Sequence, residues 1–120
     1  MKEIVYTQGA PEPIGPYSQA IRVGSLLFMS GQIALDNLDD DIKCQTDIVC
    51  RNITNILHAA GMELADVVKT TCFLACMDDF ALFNEIYAEY FTHKPARSTI
   101  AAKTLPRNAL VEIEVVAFKE

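Results

Sequence analysis

Hydrophobic and polar positions change their spacing several times along this chain, and each change marks an element. Ile4 to Tyr6 reads as a short edge strand. Gly9 to Pro16 holds too much Pro and Gly for a helix or a central strand, so it is a loop. Strands are expected from Tyr17 to Val23 and from Leu26 to Ser30, joined through Gly24-Ser25. Glycine in the first turn position suits a type II′ hairpin. Ser30-Gly31-Gln32 ends the second strand, with Gly31 either a turn glycine or a place where backbone approaches a ligand. The acidic stretch Leu35 to Asp41 then leads, as a solvated loop, into a helix over about 42–60. Ile42, Val49, Ile53, Ile56, Leu57 and Ala60 make its apolar stripe and Gly61 its stop, while His58 falls on the exposed side.

Asp66 to Met77 is apolar on both faces beyond Lys69, the mark of a central strand. Asp78 or Asp79 can cap the following helix. There Phe80, Phe83, Tyr87 and Tyr90/Phe91 recur at helical spacing and form a core stripe, with Asn84 at its margin. Pro95 ends this helix. A short strand follows in which Arg97, Thr99 and Ala101 share a face and Ser98 and Ile100 the other. The turn Leu105-Pro106-Arg107-Asn108 leads to a last strand with Val111, Ile113, Val115 and Ala117 on one side. Its other side carries Leu110, Glu112, Glu114, Val116 and Phe118. The order, strand, hairpin, helix, strand, helix, strand, strand, predicts one α+β domain over 1–120 whose mixed sheet has two helices on a single face. The bare face keeps Leu110, Val116, Phe118 and part of the Cys72–Cys76 run, which predicts a homo-oligomer.

A guanidinium and two carboxylates on otherwise apolar strands are costly to bury unless paired or used. Arg97 can pair with Glu112 or Glu114, or it can grip a ligand. Glu114 reads as structural, bridging Lys69 or Arg107. Tyr17 can be hairpin packing or a ligand contact.

Composition narrows the chemistry. The chain of 120 residues is 51% hydrophobic and 22% charged, with a net charge of −6. That excludes a disordered chain and argues against general affinity for nucleic acid or anionic membranes. No apolar run approaches the ~20 residues of a membrane span. The N-terminus has neither signal-peptide nor transit character, so a cytoplasmic protein is expected. The four cysteines form no Cys-x-x-Cys pair. Cys44 and Cys50 point in different directions on one helix. Cys72 and Cys76 share a strand face about 13 Å apart, too far to bridge. Reduced cysteines are expected, and no metal, since His58 and His93 have no ligand spacing with them.

Gly15-Pro16-Tyr17-Ser18-Gln19-Ala20, Ser30-Gly31-Gln32, Val68-Lys69-Thr70-Thr71, Pro95-Ala96-Arg97-Ser98 and Glu112-Ile113-Glu114 run in one order across nearly the whole chain. Together they resemble the signature blocks of the RidA/YjgF family, also labelled endoribonuclease L-PSP. The resemblance implies a chorismate-mutase-like α+β fold assembled as a homotrimer, with sites in the clefts between subunits. It implies cofactor-independent hydrolysis of reactive enamines and imines, of the 2-aminoacrylate and 2-iminopropanoate type, to 2-keto acids and ammonia. In that scheme Arg97 binds the substrate carboxylate and Glu112 holds and polarises the attacking water. Tyr17, Ser30, Gly31, Asn84 and Thr99 line the substrate. Thr99 stands where the family's deaminases frequently carry Cys, and its backbone carbonyl can still orient the water.

The residue types suit that reaction. A guanidinium binds a carboxylate through two parallel hydrogen bonds and so fixes position and orientation. A desolvated carboxylate can take a proton from water and return it to nitrogen, an effect worth ~10²–10⁴-fold. Two other classes compete. A ribonuclease or translation inhibitor would want a basic groove and an acid–base pair, against a charge of −6. A ligand sensor or chaperone-like trimer would use the same cleft or the loop Gly9–Pro16 without turnover.

Overall fold

The computed structural model describes residues 1–120. Six strands form one sheet: β1 (Lys2–Val5), β2 (Ala20–Val23), β3 (Leu26–Met29), β4 (Val67–Leu74), β5 (Ala96–Ala101) and β6 (Val111–Phe118). Their spatial order is β1-β2-β3-β6-β4-β5, and only the β4–β5 pair is parallel. Two helices, α1 (Ile42–Ala59) and α2 (Phe80–Tyr90), provide the crossovers and pack on each other. The expected α+β fold, with both helices on one face, is the observed one.

Local chemistry explains the boundaries. Asp41 accepts a hydrogen bond from the Cys44 backbone N–H at 2.9 Å and so caps α1. This bond is also the main reason its carboxyl stays below the usual range. At the far end Gly61 takes φ +74°, its N–H bonds the His58 carbonyl, and the Met62 N–H bonds that of Leu57. That pattern is a Schellman stop, which buries Met62 against the core. Gly24 sits at φ +59° while Ser25 stays out of the left-handed region, as a type II′ hairpin requires. Asp79 occupies the N-cap of α2 but makes no side-chain capping bond, because a 3₁₀ turn (Met77–Asp79) runs directly into the helix.

The core lies between the helices and one sheet face. Leu27, Val67, Cys72, Leu74, Val111, Ile113, Val115 and Ala117 pack against Val49, Ile53, Ile56, Leu57, Phe83, Tyr87 and Phe91. Burial of these side chains, at about 1.5–3 kcal/mol each before conformational entropy is subtracted, is the main force holding the sheet to its helices. The opposite face is bare, and Ile4, Val23, Leu26, Phe28, Ile100 and Phe118 remain exposed there.

Several expectations need correcting. Tyr17 to Gln19 precede the second strand and continue the loop. The central strand is shorter than its apolar run, since a 3₁₀ turn (Leu64–Asp66) leads into it and it ends at Leu74. Cys76 therefore lies beyond the strand, exposed, and shares no face with buried Cys72. All four cysteines are free. Leu110 does not join the bare face: it packs beside the core while its N–H donates to Gln45 Oε1 at 3.0 Å. Glu114 bridges neither Lys69 nor Arg107. It is exposed opposite Thr71, and the Lys69 ammonium instead reaches Ser98 Oγ at 3.4 Å.

Candidate functional site

The strand registers separate the charges that the sequence suggested might pair. Arg97 and Thr99 on β5 lie beside Thr70 and Cys72 on β4, which lie beside Val115 and Ile113 on β6. All of these point to the helices. Glu112 and Glu114 stand opposite Phe73 and Thr71, with Ser98 beside Thr71, on the bare face. Arg97 and Glu112 thus occupy opposite faces of one sheet. No carboxylate comes within ion-pair distance of Arg97. The intrachain salt bridge that would have given the arginine a purely structural role does not form.

Aromatic rings hold the guanidinium instead. Its central carbon lies 4.7 Å from the centre of the Tyr87 ring, 5.5 Å from Phe80 and 5.8 Å from Phe83. A cation over aromatic faces is stabilised without being neutralised. Arg97 Nη1 donates one hydrogen bond, to Asn84 Oδ1 at 2.8 Å. The other N–H groups of the fork stay open to a guest. The helical spacing that makes Phe80, Phe83 and Tyr87 a core stripe therefore also builds a cradle under Arg97. Tyr87 is anchored in turn by a 2.7 Å bond between its hydroxyl and that of buried Thr70. A hollow of about 310 Å³ opens here, lined by Asn84, Tyr87, Phe91, Lys94 and Arg97 among others. Thr99 sits one pleat further in, with its hydroxyl oxygen buried and without a partner. Beside it, burial pushes the Cys72 thiol up to about 11, so this sulfur stays protonated.

The second set of expected residues gathers on the bare face. Phe28 pairs with Val116 and Gln32 with Ile113, so one strand takes four steps where the other takes three. This bulge turns Ser30-Gly31 out of the regular ladder. The turned-out segment is strapped on both sides. Ser30 donates from its N–H to Gln19 O at 2.9 Å and from its hydroxyl to Ser18 O at 2.6 Å. The Gln32 N–H donates to Ile113 O at 2.8 Å. Gly31 then lies directly under Glu112, where a methyl group would come to 2.8 Å from its Cδ and 3.0 Å from its Cγ. Gly31 does not occupy the left-handed region, so close approach, not turn geometry, requires glycine here. Tyr17 is half exposed above the site, its hydroxyl accepting from the Ile14 N–H at 3.2 Å. Ile14, Tyr17, Ser30, Gly31, Ile33, Pro106 and Glu112 line a hollow of about 290 Å³.

Glu112 is half-buried there with no cation near it. Burial, and then the neighbouring Glu114 charge, push its carboxyl above the usual value of 4.5. A raised carboxylate in a concave, partly apolar site suits proton exchange. The seven residues named from the sequence thus fall into two groups, Arg97–Asn84–Thr99 and Tyr17–Ser30–Gly31–Glu112, which one chain does not bring together. Sequence reasoning did not single out Phe80, Phe83 and Tyr87 as the cradle of Arg97. The signal was an arginine on a strand next to an aromatic helix stripe.

Comparison with known proteins agrees with this architecture. Residues 7–119 match the family model described as Endoribonuclease L-PSP. A RutC family protein of Pyrococcus horikoshii is 52% identical, with 100% of each chain covered. The Reactive Intermediate Deaminase A, chloroplastic, of Arabidopsis thaliana is 45% identical over 97% of this chain and 65% of its own. The crystal structure of Escherichia coli TdcF with bound serine superposes at a TM-score of 0.94, with 35% identity over 98% of this chain and 99% of that one. The chain belongs to the endoribonuclease L-PSP family, the RidA/YjgF group whose signature blocks its sequence carries.

Proposed function

We propose that this protein hydrolyses reactive 2-imino and 2-enamino acids to 2-keto acids and ammonia, in sites shared between neighbouring copies of a homotrimer. The observation that carries this reading is the separation of an unpaired Arg97 from a half-buried Glu112, its carboxyl raised by burial, onto opposite sheet faces. A substrate that needs both must be held across a boundary between chains. The bare apolar face supports such an assembly, since it leaves Val23, Leu26, Phe28 and Phe118 without cover. The 45% identity to a protein named a reactive intermediate deaminase supports the chemistry.

In this reading the open N–H groups of Arg97 take the substrate carboxylate, with Asn84 and the aromatic cradle fixing the fork. This leaves the C=N carbon of the substrate facing the neighbouring chain's Glu112 hollow. Glu112 accepts a proton from a water as its oxygen adds to that carbon. That proton passes to nitrogen to give the neutral carbinolamine, whose hydroxyl then yields its own proton, through Glu112, to the nitrogen as the C–N bond breaks, so that ammonia leaves and a 2-keto acid remains. An imine is already electrophilic, so positioning and one acid–base group are enough. A ribonuclease role gains no support from the histidines, because His58 is engaged with Glu63 and His93 with the Val67 carbonyl.

The test is ammonia release from 2-iminopropanoate, generated in situ from alanine by an amino-acid oxidase. The protein should speed release, and Arg97→Ala should abolish the effect with the assembly still folded. Undiminished turnover in that variant would overturn the role given to Arg97. No acceleration by the unmodified protein would overturn the deaminase reading itself.

A further inference from the structure

The hollow around Arg97 is also lined by Lys94, an exposed residue, and by no acid. Of its eight lining residues, Lys94 and Arg97 are the charged ones, both positive. This is unusual in a chain with 16 acidic and 10 basic residues. Neither cation has a carboxylate within ion-pair distance. Arg97 spends one N–H on Asn84. Lys94 anchors its backbone N–H on Phe91 O at 3.2 Å.

The backbone places Lys94 with some force. It takes φ +55°, in the left-handed region that non-glycine residues seldom enter. Pro95 follows it directly and fixes the chain into β5. Lysine after a helix can serve simply to complement the negative end of the dipole, an effect confined to the last turn. Here α2 ends at Tyr90, so Lys94 lies past that turn. One carboxylate satisfies one guanidinium. The second cation in the same 310 Å³ hollow is then left for a second anionic group on the same ligand.

We infer that the preferred substrate is a 2-imino diacid, whose first carboxylate is bound by Arg97 and whose distal carboxylate is bound by Lys94. This rests on the deaminase reading above and specifies its substrate class. The bond changes are those of the simple imine: water adds across C=N, the C–N bond breaks, and the products are ammonia and a 2-oxo diacid. The distal carboxylate takes no part in the chemistry. Lys94 is accordingly a specificity-determining residue.

Two measurements test this. The first is binding of 2-oxoglutarate against 2-oxobutanoate, product-like acids with and without the distal charge, by calorimetry at low ionic strength. The native protein should bind the diacid about five- to ten-fold more tightly, as expected for one partly exposed charged contact. Lys94→Gln should erase that preference, Lys94→Arg should keep it, and 0.5 M salt should weaken it. Equal binding by the native protein, or a preference that survives in Lys94→Gln, would overturn the inference. The second compares ammonia release from imines generated from glutamate and from alanine. The diacid-to-monoacid ratio of kcat/KM should fall by a similar factor in Lys94→Gln. Hydrolysis of neither imine by the native protein would sink the deaminase reading, while the binding measurement would still decide what Lys94 does.

Discussion

Replacing Gly31 by alanine adds one methyl group at the point where backbone passes beneath Glu112. That carbon would sit 2.8 Å from Glu112 Cδ and 3.0 Å from its Cγ. Comfortable carbon–carbon contact begins near ~3.5 Å, so the carboxylate must retreat by roughly 0.5–1 Å. The obstacle is the far end of a half-buried side chain, not backbone, and such an end can move. Gly31 itself lies outside the left-handed region, so alanine can adopt its backbone angles. The substitution also removes unfolded-state freedom worth about 0.4–1 kcal/mol, which offsets part of the crowding.

The expected result is a folded, assembled protein within about 1 kcal/mol of native stability and with badly impaired catalysis. A displacement near 1 Å of a group that must meet a water can cost about 10²-fold. Urea unfolding and steady-state ammonia release measure the two effects separately. If the methyl acts only by moving Glu112, the double variant Gly31→Ala/Glu112→Gln should be no slower than Glu112→Gln alone. Native turnover in Gly31→Ala would refute the reasoning. So would a loss of more than ~3 kcal/mol, which would mean that Glu112 cannot yield and that Gly31 serves folding first.

Glu114→Gln removes the charge that adds to burial in raising the Glu112 carboxyl, so the acid limb of kcat/KM should move to lower pH; an unmoved limb would leave Glu114 without influence. The linked stability has a definite sign: the folded chain holds the Glu112 proton more tightly than the unfolded one. That contribution is complete below the ordinary carboxylate range and is lost as pH rises through the raised value. Tyr87→Leu takes away the nearest ring beneath Arg97 and should raise KM by about 3- to 30-fold, the range for a cation–π contact of about 0.5–2 kcal/mol. Tyr87→Phe keeps the ring and should hold KM near native, while losing about 1 kcal/mol with the Thr70 bond. Equal KM in the two variants would show that the ring does not position Arg97.

What could be read from the sequence followed periodicity and punctuation. The stripe from Ile42 to Leu57, stopped by Gly61, gives α1 almost to the residue, because amphipathic spacing and a left-handed stop act locally. The Gly24-Ser25 hairpin is legible for the same reason. The apolar run overextends the central strand at both ends, since apolar character does not distinguish a strand from the 3₁₀ turns flanking it. The blocks name the expected site residues but do not give their division between two sheet faces. Alternation along β5 and along β6 says which residues share a face within each strand. It does not say which face of one strand matches which face of another, and the pairing of both with β4 decides that. The two hydrogen bonds from Ser30 to Ser18 and Gln19, and the bulge they stabilise, depend on residues brought together by the hairpin. No local pattern announces them.

The division of charges can be tested without knowing the substrate in detail. Suppose Arg97→Ala and Glu112→Gln are each inactive, and equal amounts of the two are unfolded together and refolded. If a working site draws its arginine and its glutamate from one chain, every site still contains a defect and the mixture stays inactive. If it draws them from neighbouring chains, a site is intact whenever an Arg97→Ala chain supplies Glu112 and a Glu112→Gln chain supplies Arg97. Random assortment makes each condition true half the time, so activity should return to about one quarter of native. The recovered fraction should vary with the mixing ratio and peak at equal amounts, which a revertant or a contaminating wild-type chain would not reproduce. Recovery in this form follows from the opposite-face placement of Arg97 and Glu112 within the chain. A mixture that assembles but remains inactive would mean that no site draws its arginine and its glutamate from different chains.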